Sequence, residues 1–216
     1  MNTIQFFAIA AVCYCIVAML LHLLKVIRLG APKDLSEASG SVKKGVIYSN
    51  TRAMMPDQKE SAFLHLPSYT VGMLFHIGVF CSLLIFILSF FPFFNNWISS
   101  CKWSYFLAIP SLFGSICGVI LFIKRVTSKD LKVFSSIDDY ISVTLVTFFQ
   151  MMTTLYLAFL LFKAISVIFY ISAILLFIYI PFGKLRHIVY YFSARFHLGF
   201  FYGRRNVWPV NEDDKK

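Results

Sequence analysis

Long apolar runs separated by short polar stretches dominate the chain, and the length of the runs decides what they are. Crossing a hydrocarbon core takes roughly 20 consecutive, mainly apolar residues as helix, because every backbone amide and carbonyl must be paired inside the segment. Five stretches reach that length: 4–24, 67–94, 103–123, 140–162 and 164–183, the last two meeting in a tight turn at Phe162, Lys163 and Ala164. The pattern therefore predicts an all-α integral membrane protein, a five-transmembrane-helix bundle over residues 1–190 with a long loop at 28–66, followed by an amphipathic tail at 191–216. The loop is rich in Ser, Gly, Lys and Pro and shows no hydrophobic period of its own. Connections of that length are uncommon, and this one is expected to dock a soluble partner. The segment from His187 to Tyr202 is aromatic and basic, as suits a helix lying in a membrane interface.

Composition agrees with this solvent. The chain of 216 residues is 59% hydrophobic and 18% aromatic, with a mean hydropathy of +0.75, values foreign to soluble domains. The net charge of +10 would suggest nucleic acid in a soluble protein, but its distribution points elsewhere. Basic residues cluster after the first stretch (Lys25 to Lys59), after the third (Lys124 to Lys132) and after the fifth (Lys184 to Lys216), while only Lys102 and Lys163 fall in the opposite loops. Positively charged loops stay in the cytoplasm. The expectation is a multi-pass protein of the cell inner (cytoplasmic) membrane, N-terminus outside and C-terminus cytoplasmic, with lipid and no nucleic acid as its partner. The first stretch has no basic residue before it, so it reads as a retained helix and not as a cleavable signal.

Local features are mostly structural in reading. Gly114, Ser115 and Gly118, with Ser111 one turn earlier, form a small-residue face for close helix packing. Asp138 and Asp139 open the fourth stretch, where carboxylates complement the positive end of the helix dipole and Ser135 or Ser136 can cap it. The cysteines Cys13, Cys15, Cys81, Cys101 and Cys117 sit mainly in apolar runs and show no spacing for covalent haem or a thiolate-bound metal.

Histidine carries the chemical signal, because imidazole is the usual axial ligand of a b-type haem held among helices. His76 lies inside the second stretch, where an ionisable group is by default functional. His187 follows the fifth stretch at the same edge of the membrane, so the two could clamp one iron; hydrogen bonding between helices is the other reading the residues leave open. His65 precedes His76 by eleven residues and His197 follows His187 by ten, which makes them candidates for a second haem or for partner contact. His22 reads as a packed residue or as part of the same pocket. Every histidine maps to the cytoplasmic half or beyond it, so any imidazole-bound iron is expected there.

Four segments also resemble, in order and topology, the respiratory nitrate reductase gamma subunits: Leu74-Phe75-His76-Ile77-Gly78-Val79; Gly118 to Arg125; Asp138-Asp139-Tyr140-Ile141-Ser142 running to Gln150; and Ile180 to Ile188 through Pro181-Phe182-Gly183 and His187. The similarity covers roughly residues 65 to 190. It implies a membrane cytochrome b that passes electrons between membrane quinone or quinol and an iron-sulfur subunit on the cytoplasmic face, as in the related subunits of sulfite-reduction and heterodisulfide-reductase complexes. It further implies that His76 and His187 ligate the haem nearest that partner. The family's outer haem needs histidines where this chain holds Phe86 and Phe169, so an outer haem is expected to be absent and quinone to be handled in the inner half. The alternative is a haem-free membrane anchor for a soluble redox subunit. A small transporter is disfavoured, since no acidic residue or broken mid-membrane helix lines a path.

Overall fold

The computed structural model describes residues 2–30, 34–58, 64–100, 103–159 and 162–209. Among these, the regular elements are all helical. They are α1 (Thr3–Leu29), α2 (Val42–Asn50), α3 (Leu66–Leu88), α4 (Pro92–Ser100), α5 (Trp103–Thr127), α6 (Lys129–Phe134), α7 (Ile137–Ala158), α8 (Lys163–Tyr179) and α9 (His187–Arg204), with single 3-10 turns at Arg52–Met54, Pro56–Gln58 and Lys184–Arg186. Lys102, Cys101 and the last seven residues, which carry Lys215 and Lys216, lie outside the described residues.

Four helices, α1, α3, α5 and α7, are each long and apolar enough to cross a membrane, and a fifth span arises only if α8 and α9 are taken as one interrupted unit. Sequence chemistry explains the bounds. α1 stops at Gly30, whose φ of +67° is the left-handed conformation that glycine supplies at helix ends. The second apolar stretch does not run unbroken from 67 to 94. It ends at Leu88, and Pro92 opens a separate helix at the first helical position, where a missing amide hydrogen costs nothing. α7 starts at Ser136, whose backbone N–H and hydroxyl both donate to Asp139 Oδ2 at 2.9 Å. α8 closes at Ile180, because Pro181 cannot donate to the ladder and restricts the residue before it. Its 17 residues rise about 26 Å, slightly less than a typical core thickness of about 30 Å.

The chain divides into two compact units, Met1–Val17 with Pro67–Leu185, and Ala18–Leu66 with Arg186–Lys216. In the first, α7 is the most enclosed of the spans and packs on α5 and α8. Its core is aromatic: Phe86, Phe149 and Phe169 are fully buried, with Tyr156, Tyr170 and Phe94 around them. The outward faces carry exposed Phe6, Phe80, Leu84, Phe106 and Ile123, as expected where lipid is the solvent.

The second unit contains a finding that the loop's composition hid. Residues 42–50 form α2, capped by Ser41, whose hydroxyl accepts from the Lys44 amide at 3.4 Å, and α2 packs along α9. Glycine makes this possible. A Cβ on Gly199 would stand 2.6 Å from Val46 Cα, and one on Gly203 would stand 2.9 Å from Gly45 Cα, so the two backbones approach as only small residues allow. Ser49 Oγ donates to the Arg195 carbonyl at 2.7 Å, and the Arg195 guanidinium donates back to the Ser49 carbonyl. The loop and tail assigned to partner docking thus pack first on each other.

Candidate functional site

His76 projects from α3 with its ring exposed, and its Nδ1 lies 2.7 Å from the Gly72 carbonyl one turn earlier. A carbonyl oxygen can only accept, so Nδ1 donates, and in the neutral imidazole Nε2 is left as the ring's acceptor. A backbone carbonyl on one ring nitrogen fixes the tautomer and the ring orientation, as it does for histidines that ligate a metal through the other nitrogen. The face around it is open: a Cβ added at Gly72 would meet nothing within 4 Å, and Met73, Ile77 and Phe80 beside it are exposed and apolar. Depth follows from the neighbours. Ser68, two turns before His76, accepts a hydrogen bond from Lys124 at the end of α5, so His76 sits in the half of its unit nearer the charged end.

That end is organised by Asp139, which is buried while its partners reach outward. Arg125 Nη1 approaches its Oδ1 at 3.1 Å and Lys184 Nζ at 2.6 Å, so one carboxylate joins the end of α5, the start of α7 and the segment after α8. Tyr179 donates to Asp138 beside it. The carboxylates therefore cap and brace. At the opposite end of the same unit a neutral relay runs inward: Gln5 Nε2 donates to Tyr170 Oη at 3.0 Å, Tyr170 donates to Ser89 Oγ at 3.0 Å, and Asn95 links the Ser89 carbonyl at 2.8 Å to the Tyr156 hydroxyl at 3.0 Å.

Phe86 and Phe169, where the resembling family holds outer-haem ligands, face each other with ring centroids 6.0 Å apart. The space about them is filled with side chains: Tyr156 stacks on Phe169 at 4.5 Å, Phe149 at 6.0 Å, and Phe177 lies 5.3 Å from Phe86. The residues present do not fit a second macrocycle at this position.

The other histidines belong to the second unit. His187 is the first residue of α9 and His197 lies ten residues along the same helix, about 15 Å by helix rise, so those two cannot share one iron. His65 is exposed immediately before α3. His22 meets Tyr190, Nδ1 to Oη at 3.2 Å. Among the described residues no three His, Cys, Asp or Glu side chains gather to hold a metal ion, and Cys13, Cys15, Cys81 and Cys117 are free thiols.

Sequence reading passed over Gln150 except as the end of a motif. It is fully buried in α7, its Nε2 reaches the Phe75 carbonyl at 3.5 Å, and its Oε1 lies against Gly78 and Gly114 with no conventional donor. The signal was available, a lone amide in an apolar helix opposite two glycines, but only contact reveals which glycines. No family model, curated protein or solved structure matches the chain.

Proposed function

We propose that this protein is a membrane cytochrome b subunit of an oxidoreductase, moving electrons between membrane quinone or quinol and an iron-sulfur subunit bound at the cytoplasmic face of a cytoplasmic membrane. The observation that carries the reading is His76: an exposed imidazole within an apolar helix of membrane-spanning length, its Nδ1 bound to the Gly72 carbonyl, beside the exposed apolar residues Met73, Ile77 and Phe80. That environment fits an axial ligand, and by the motif similarity His187 is its counterpart. Haem b bound there would supply one-electron chemistry at low dielectric. The chain's own contribution is to orient the imidazole, to cover one side with the apolar residues of α3, and to keep the aromatic core closed to water.

Support of a second kind comes from Phe86 and Phe169. Two positions that would share one haem in the resembling family are neighbours across α3 and α8 here, so the proposed alignment pairs the helices in a self-consistent register. Their aromatic packing favours a single haem ligated by His76 and His187, with His65 and His197 serving partner contact instead of a second iron.

The test is the absorbance spectrum of the purified, dithionite-reduced protein. A low-spin haem b band is expected, and His76→Leu or His187→Leu should abolish it, because bis-imidazole ligation does not survive loss of one strong-field ligand. A folded variant that keeps the wild-type band removes that residue as a ligand. A wild-type protein with no band, purified with its soluble partner, would instead make the chain a haem-free anchor.

A further inference from the structure

The end of α1 in the second unit forms an open cleft of about 490 Å³ lined by Lys25, Val26, Arg28, Leu29 and Tyr190. Its volume lies within the range of roughly 300–1,000 Å³ usual for small-ligand sites. Its lining combines free cations with apolar surface. Lys25 and Arg28 reach it from successive turns of one helix, and neither has a carboxylate or other polar partner among the described residues. The other cations that brace the fold are paired: Arg125 and Lys184 with Asp139, Arg204 and Arg205 with Asp34. The rest of the lining is apolar, Leu29 being 85% exposed, and Tyr190 is held in place by the His22 contact.

Cations in the last turn of a helix are favoured by the helix dipole alone. That accounts for Arg28, the basic residue of the last turn of α1. It does not account for Lys25 a turn earlier, or for an aromatic wall brought from α9. Two unpaired cations beside exposed apolar surface, where a membrane-length helix leaves its apolar run, match a ligand with a phosphate at one end and hydrocarbon at the other. We propose that the cleft binds one anionic phospholipid, its phosphate between Lys25 and Arg28 and its glycerol and upper acyl chain along Val26, Leu29 and the Tyr190 ring. Such a lipid would join α1 to α9 within the second unit. The inference is independent of the haem reading, since none of its residues is a proposed ligand.

Native mass spectrometry of the full chain, titrated with phosphatidylglycerol or phosphatidylcholine of equal acyl length, tests it. The wild type should retain one phosphatidylglycerol in preference to phosphatidylcholine. Each juxtamembrane cation contributes about fivefold in affinity for an anionic lipid, so Lys25→Gln with Arg28→Gln should lower the preference by about 25-fold. Lys43→Gln with Lys44→Gln removes the same charge from α2, away from the cleft, and should leave it unchanged; both pairs are exposed, so neither change disturbs packing. The proposal is overturned if the first double variant retains the lipid as the wild type does, or if both variants lose it equally, since net charge would then suffice. Displacement of the lipid by millimolar inorganic phosphate would also overturn it, by showing that the site takes a free anion.

Discussion

Gln150 shows how a single buried amide sets the spacing of three helices. Its Oε1 occupies the space that a Cβ on Gly78 in α3 or Gly114 in α5 would take. Thr147 does the same at Gly118 one turn before. A Cβ at Gly114 would stand 2.7 Å from Gly78 Cα, which is backbone and cannot rotate away. Gly114→Ala is therefore expected to destabilise the protein by about 1–3 kcal/mol, the usual cost of overpacking, read as a lower melting temperature in detergent. Gly72→Ala meets open space and should instead leave stability unchanged or raise it by about 0.5–1 kcal/mol, as glycine is a poor helix former. Equal effects of the two substitutions would show that the glycine crossing is not what limits helix approach.

At the scale of the element, the α2 and α9 pair is closed at one end by Asp34. Its Oδ1 accepts from the Ser36 hydroxyl at 2.7 Å, and Arg205 reaches it at 2.8 and 3.0 Å. The Ser36 hydrogen bonds and then the Arg205 guanidinium hold the carboxyl at about 2, below its ordinary value of 3.8. A group whose folded value is depressed stabilises the fold above its unfolded value and loses that contribution as pH falls through the folded one. The closure should thus be constant from neutral pH to about 4 and be lost between about 4 and 2. Amide hydrogen exchange reports it directly, because the Ser39 and Gly40 amides donate to the Arg204 carbonyl at 2.9 and 3.0 Å. Their protection should fall over that interval, and Asp34→Asn should remove the pH dependence. A wild type that stays protected at pH 2 would show that the glycine seam alone holds the pair.

For the whole molecule, the number of crossings decides which faces meet which compartment. α8 is short of a full span and continues into the segment before α9, so four crossings and five are both compatible with helix length. Charge separates them. With Lys102 and Lys163 alone in the loops opposite to all other basic residues, the positive-inside rule predicts five crossings with the N-terminus outside. A reporter joined after Lys216 should be cytoplasmic and one inserted near Asn95 external. Termini on the same side would mean four crossings and would separate His76 from the edge at which His187 is expected.

The apolar helical character of the chain and its charge asymmetry were legible in the sequence by itself, whereas the bounds and number of its spans were not. Each of the first two is a property of one segment in water or lipid, additive along the chain and indifferent to neighbours. The separate helix starting at Pro92 was missed, because the apolar run from 67 to 94 concealed the break that the proline makes. His76 stood out as a candidate, because an ionisable side chain inside an apolar stretch is conspicuous without knowledge of its contacts. Only the tertiary structure decided that Asp139 would meet Arg125 and Lys184, that Phe86 and Phe169 would fill one core, and that α2 would form in a segment with no hydrophobic period and seat on Gly199 and Gly203. Those are pairwise events between residues fourteen to more than a hundred positions apart. Lipid rewards every apolar face alike, so which faces meet is left to steric fit between glycines and to the pairing of a few buried polar groups.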